Sequence, residues 1–256
     1  MTESPLKIWR EADGRLLRLR LDRPKANIID AQMIAALDAA FSDVAKNPDV
    51  HAVLLDSEGP HFSFGASVEE HLPEHCAGML KALHGLIKKI LTCPAPVLVA
   101  VNGQCLGGGL EVALACNLMF VAPDASLGQP EIKLAVFAPA ASCLLPRIAG
   151  QQVAEDLLLS GRSISGTEAA RMGIANLAVT DPQAAALAYF EEHLAGLSAS
   201  TLRFAVTAAR QNFAAQVSAD LDRVEKLYLD GLMNSDDAPE GLAAFVEKRT
   251  PQWRHS

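Results

Sequence analysis

Apolar residues along this chain change their spacing in a regular order, and that order predicts the elements. Ile8 and Trp9 face Leu17, Leu19 and Leu21 across Asp13-Gly14. Period-two alternation on either side of such a dipeptide predicts a β-hairpin with a two-residue turn. From Met33 the spacing becomes helical, through Ile34, Leu37, Phe41 and Val44, with Asp30 as N-cap and Asn47-Pro48 as the stop. A strand over 50–55 follows. Met79, Leu80, Leu83, Ile87, Ile90 and Leu91 mark a second helix that must stop before Pro94 and Pro96. Val97-Leu98-Val99-Ala100-Val101 then has no polar position at all, as a strand covered on both faces requires. Asn102-Gly103 turns the chain, and Leu118 to Ala122 forms another short apolar strand. Strands and helices alternating at these intervals predict parallel βα units and an α/β fold. From Pro182 the pattern is helical only, in Leu202, Ala205, Val206 and Ala209 and again in Leu221, Val224, Leu227 and Tyr228. No repeat of fixed period and no low-complexity linker interrupts it.

Composition narrows the function classes. With 256 residues, 50% apolar and 20% charged, the chain can bury a full core as one domain with an appendage. Its net charge of −8, with no Lys/Arg block, argues against a nucleic-acid or anionic-membrane surface, so any phosphate site must be local. Met1-Thr2-Glu3-Ser4-Pro5 carries no charged-then-apolar signal pattern, and no apolar run reaches the ~20 residues of a membrane span, which makes the cytoplasm the default location. Five cysteines, none spaced Cys-x-x-Cys, suggest reduced and mostly core thiols. His71, His75 and Cys76 would share one helical turn as soft metal ligands, but a solvated loop is the expectation there, and no metal site is predicted.

The chemistry concentrates in Gly107-Gly108-Gly109-Leu110-Glu111. Three glycines leave backbone N–H groups unshielded at a helix start, where they can stabilise negative charge on a ligand oxygen. Taken alone, the run also suits a phosphate or a tight turn. A second carboxylate follows in Gln129-Pro130-Glu131, and two neighbouring carboxyl groups can share acid and base work if burial and repulsion keep one protonated. A glutamate at an arbitrary position is more often solvated; the surrounding motifs reverse that reading.

Those motifs come in order: Phe62-x-x-Gly65-Ala66-x-Val68, then Val101-Asn102-Gly103-x-x-Leu106-Gly107-Gly108-Gly109-x-Glu111, then Gly128-Gln129-Pro130-Glu131. In this order and spacing the sequence resembles the enoyl-CoA hydratase/isomerase (crotonase) superfamily, from about Leu21 to Gly173. The resemblance implies a crotonase-like α/β core of repeated ββα turns over 1–195, holding a CoA-thioester site. It implies a C-terminal helical region over 196–256 that closes over the acyl group and packs the subunits into homo-trimers, often paired as hexamers. It assigns the oxyanion hole to the backbones of Ala66 and Gly108 and the acid/base pair to Glu111 and Glu131, leaving open which is acid and which is base. Lys25, Ala26 and Ile28, with Phe64, Gly65, Ser67, Val68 and Gly107, would line the acyl-CoA site. No cofactor is implied, since coenzyme A is part of the substrate. Retention of both glutamates favours hydration over isomerisation or hydrolysis on the same fold, and it weighs, with the acidic charge, against the RNA-binding or scaffold roles of some relatives.

The departures matter too. Ser67 stands where an Asp is usual, Phe64 replaces a small residue, and Pro139 occupies a position where a glycine N–H would help hold water. Bulk from Phe137 and rigidity from Pro139 would shape the floor for a short, flat, cyclic acyl group, making this chain most similar to members that hydrate a cyclic dienoyl-CoA. Neutral variation in a packed loop is the alternative.

Overall fold

A computed structural model describes residues 4–256. The Met1–Glu3 part of the N-terminal stretch read for a signal pattern lies outside them. Strands β1 (Leu6–Glu11) and β2 (Leu16–Leu21) form the expected antiparallel hairpin. Its connection is four residues rather than two: Glu11 pairs with Leu16, and Ala12, Asp13 and Gly14 all take positive φ, with N–H groups of Gly14 and Arg15 returning to Glu11 and Ala12 carbonyls. Helix α1 (Ala31–Lys46) starts where Asp30 accepts the Met33 N–H and buries Met33, Ile34, Leu37, Phe41 and Val44 on one face.

Strand β3 spans Ala52–Ser57, two residues beyond the predicted strand. The pattern misleads there because Asp56 is a strand residue. It is buried with Arg18, whose Nη2 lies 2.5 Å from its Oδ2, and Arg20 Nε lies 2.6 Å from its other oxygen. Helix α2 (Pro73–Leu91) also begins earlier than its apolar stripe. It takes in His75 and Cys76, correcting the solvated-loop expectation: Pro73 opens the first helical turn and Cys76 is buried against the core. Next come β4 (Val97–Val101), β5 (Gln104–Leu106), α3 (Gly108–Ala115), β6 (Leu118–Val121), β7 (Ser126–Gly128), α4 (Pro139–Ala149), α5 (Gln151–Ser160), β8 (Ser163–Ser165), α6 (Gly166–Arg171) and β9 (Leu177–Ala178). The remainder is helical: α7 (Pro182–Tyr189), α8 (Ala199–Lys226) and α9 (Asp237–Val246).

The main sheet runs β1-β2-β3-β4-β6-β9, parallel from β2 onward, and β5, β7 and β8 form a small second sheet. Successive residues of the main sheet enter opposite cores. Leu17, Leu19, Val53, Leu55, Val97 and Val99 face the large core beneath α1 to α4, while Leu16, Ala52, Leu54, Leu98 and Ala100 pack against Ala186, Phe190 and Leu194 of the α7 region. That two-sided burial explains the unbroken apolar run in β4. The five cysteines are buried and unpaired. No helix of the described residues is long and apolar enough to cross a membrane.

Candidate active site

Two backbone segments meet beside the β4–β5–α3 unit. Residues 62–66 run along β5: the Phe62 N–H donates to Asn102 O, Ser63 N–H to Gln104 O, and Leu106 N–H back to Ser63 O. From the other side, Phe64 N–H donates to Ala26 O and Ile29 N–H to Gly65 O. Clamped in this way, the segment delivers Ala66 to the start of α3, where a side chain on Gly108 would approach Ala66 N to 3.2 Å. A Cβ there would have to push the Ala66 backbone back by a few tenths of an ångström. Among the described residues the Ala66 and Gly108 N–H groups donate to no other atom. The Gly107 N–H, by contrast, is used by Gly128 O at 3.0 Å, and that bond ties the glycine run to the strand leading into Glu131. Gly107 has φ 48° and ψ −129°, and a Cβ there would lie 2.7 Å from Glu131 Oε1.

Glu111 sits in the first turn of α3 and is 2% exposed. Its Oε1 accepts the Ala141 N–H at 2.9 Å. This contact revises the meaning of Pro139. Proline occupies the first position of α4, where its missing N–H would have had no helical partner, and the free donors one and two residues later face Glu111. Burial holds the Glu111 carboxyl above its ordinary value; the Ala141 N–H, the His84 imidazole and the Ala140 N–H act against that rise. Glu131 lies in the 3-10 turn Pro130–Leu134, half-buried. Burial, with the charge of Glu111 behind it, pushes its carboxyl up to about 8. With its amide nitrogen turned toward the carboxylate, buried Gln129 donates to both Glu131 oxygens at 3.1 and 3.2 Å. The pair is unequal in its surroundings: two α4 backbone N–H groups favour the charged form of Glu111, whereas at Glu131 its own N–H and the Gln129 amide stand against both burial and the charge of Glu111.

One cavity brings together Phe64, Ala66, Val68, Gly107, Gly108, Glu111, Glu131, Phe137 and Pro139 from the sequence-derived set. Gly65 lies just behind it, with a Cβ position 3.1 Å from Leu106 O. Lys25, Ala26, Ile28 and Ser67 do not line it: Lys25 is exposed, Ala26 braces Phe64 through its carbonyl, and Ser67 Oγ donates to Glu69. Phe64, at 44% exposure, stands at the mouth edge-on to His61. The walls that pattern reading missed are His71, Leu80, Leu83, Pro130, Leu134, Val136 and Leu242. Leu80 and Leu83 were legible as helix core, but nothing in their spacing distinguishes a core face from a cavity wall. Gln129 stood inside the quoted motif without a role.

Residues 11–256 match the model of the enoyl-CoA hydratase/isomerase family. The chain is 62% identical over 252 residues, 98% of either chain, to cyclohexa-1,5-dienecarbonyl-CoA hydratase of Thauera aromatica. It is 32% identical over 247 residues to a probable enoyl-CoA hydratase of Bacillus subtilis, covering 92% of this chain and 94% of the relative. In fold it superposes on the crystal structure of an enoyl-CoA hydratase/isomerase from Pseudoalteromonas atlantica with a TM-score of 0.85, 28% identity and coverage of 97% and 99%. The chain belongs to the enoyl-CoA hydratase/isomerase family.

Proposed function

We propose that this protein is a hydro-lyase that adds water to a conjugated cyclic dienoyl-CoA, converting cyclohexa-1,5-diene-1-carbonyl-CoA to 6-hydroxycyclohex-1-ene-1-carbonyl-CoA. The thioester oxygen lies between the Ala66 and Gly108 N–H groups, which stabilise the charge that develops there as water attacks. Glu111, whose charged form the Ala140 and Ala141 N–H groups favour against burial, takes a proton from the water while the water oxygen bonds to the ring carbon beside the thioester-bearing one. Electrons move through the dienolate. Glu131 supplies the second proton at the far end of the diene, which leaves one double bond conjugated to the thioester. Water adds without net oxidation or reduction, so no redox cofactor is required and coenzyme A enters as part of the substrate.

The observation that carries hydration is an unequal carboxyl pair, one buried and one half-buried, lining one cavity with two residues whose N–H groups are unpartnered. The cyclic acyl group rests on the 62% identity to the Thauera aromatica enzyme, about twice that to the Bacillus subtilis relative. The protein works as a cytoplasmic homo-trimer or a pair of trimers, so light scattering should give three or six times the 27.2 kDa protomer mass. Turnover of crotonyl-CoA and the cyclic dienoyl-CoA, followed by mass, tests the reading. Gain of one water on the cyclic diene, with little on crotonyl-CoA, supports it; the reverse makes the protein a general hydratase, and an unchanged mass with a moved double bond makes it an isomerase.

A further inference from the structure

Behind the floor of the cavity lies a polar group that the reaction as described does not use. Tyr228, in the turn Leu227–Gly231 that ends α8, is fully buried, yet its hydroxyl makes no hydrogen bond. A buried hydroxyl without a partner is destabilising, so one in a packed core needs an explanation. Its ring stands edge-on to Phe137 at 5.1 Å, and Phe137 forms the cavity surface on that side. Three residues earlier on the same helical face, Glu225 Oε2 meets His84 Nδ1 at 2.5 Å, which pins this end of α8 to α2. His84 Nε2 is likewise buried without a partner. Two orphan polar atoms therefore lie on the α2–α8 seam next to the glutamates. Burial, reinforced by the charges of Cys76, Glu131 and Glu111, keeps the Tyr228 phenol well above its usual range, so it is a donor at any working pH.

The cavity in front of Phe137 measures about 80 Å³. An apolar cavity of ~150 Å³ is one that takes up benzene. A six-membered acyl ring seated in this cleft, which is open to solvent on one side, presses on its floor, where the ring facing it is Phe137. From this we infer that Tyr228 is a substrate-contacting residue: the bound acyl ring displaces Phe137, and the Tyr228 hydroxyl then donates a hydrogen bond to the oxygen added to the ring, sharing that oxygen with Glu111. The inference rests on the hydratase reading above.

Tyr228→Phe tests it, with kcat, KM and thermal midpoint measured beside the wild type on cyclohexa-1,5-diene-1-carbonyl-CoA. The orphan hydroxyl contributes nothing to the empty protein, so the variant should melt no lower than wild type. Its kcat should fall at least tenfold with KM within about twofold. An unchanged kcat would overturn the inference, and so would a loss of activity that tracks a lower midpoint, since that is the mark of a packing role. Wild-type protein that fails to hydrate the cyclic substrate counts against the hydratase reading instead, and is distinguished from either result by the wild-type assay alone.

Discussion

At the scale of single residues, the base and acid roles proposed for Glu111 and Glu131 rest on the difference between their surroundings. Glu111→Gln and Glu131→Gln should each lower kcat by at least a hundredfold in the hydration assay, while binding of the CoA thioester, followed by calorimetry, changes little. Activity needs one carboxyl charged and the other protonated, so kcat/KM should be bell-shaped, with its basic limb near pH 8 where Glu131 gives up its proton. The same residue makes a prediction about stability. A carboxyl raised in the folded state stabilises most fully below its ordinary value, and that stability is lost as pH climbs toward 8. Glutamine mimics the protonated form at all pH values. Glu131→Gln should therefore melt above wild type at pH 8.5 and alongside it at pH 5; equal midpoints at both would show that the carboxyl is not held protonated. Sequence singles out both glutamates through their motifs, but it does not rank them. The ranking comes from the N–H groups of Ala140 and Ala141, and a backbone donor has no signature in side-chain pattern.

Among elements, the legible ones were those whose apolar spacing is unbroken: α1 with its Asp30 cap, the stripe of α2, and β4. The misjudged boundaries fall where polar residues do structural work. Asp56 extends β3 because two arginines neutralise it, and Asp13-Gly14 sits inside a longer loop of left-handed residues. The short strands β5 and β7, three residues each, carry too little pattern to be read, yet they align the 62–66 segment and the Glu131 turn through a few backbone bonds. Gly107 is the joint between them. Gly107→Ala would force a side chain into a φ that L residues disfavour and into contact with Glu131 Oε1. It should destabilise the protein by about 1–3 kcal/mol and lower kcat more than tenfold by displacing the carboxylate, measured by denaturant melts and steady-state rates. A variant with normal kcat would mean that the position of Glu131 tolerates a shift.

Across the whole molecule, the cavity draws on residues from Phe64 to Leu242, so its wall is completed by the helical tail folding back onto the α/β core. The tail was readable as helical, but its destination was not, since Leu242 looks like any apolar position on an amphipathic helix. What fixes that destination is a backbone contact. α9 packs on the Pro130–Leu134 turn so closely that a Cβ on Gly241 would lie 2.3 Å from Leu134 O and 2.7 Å from its carbon. A carbonyl in a 3-10 turn cannot swing aside as a flexible side chain would, so an added methyl must lift the helix. That turn also carries Glu131, and Leu242 is the next residue along α9. Gly241→Ala should accordingly loosen the acyl wall from outside the chemistry: KM for the thioester should rise about tenfold or more with a smaller loss in kcat, and the thermal midpoint should drop by a few degrees. Loss of kcat alone, at unchanged KM, would mean that α9 serves to hold the Glu131 turn in place rather than to enclose the substrate.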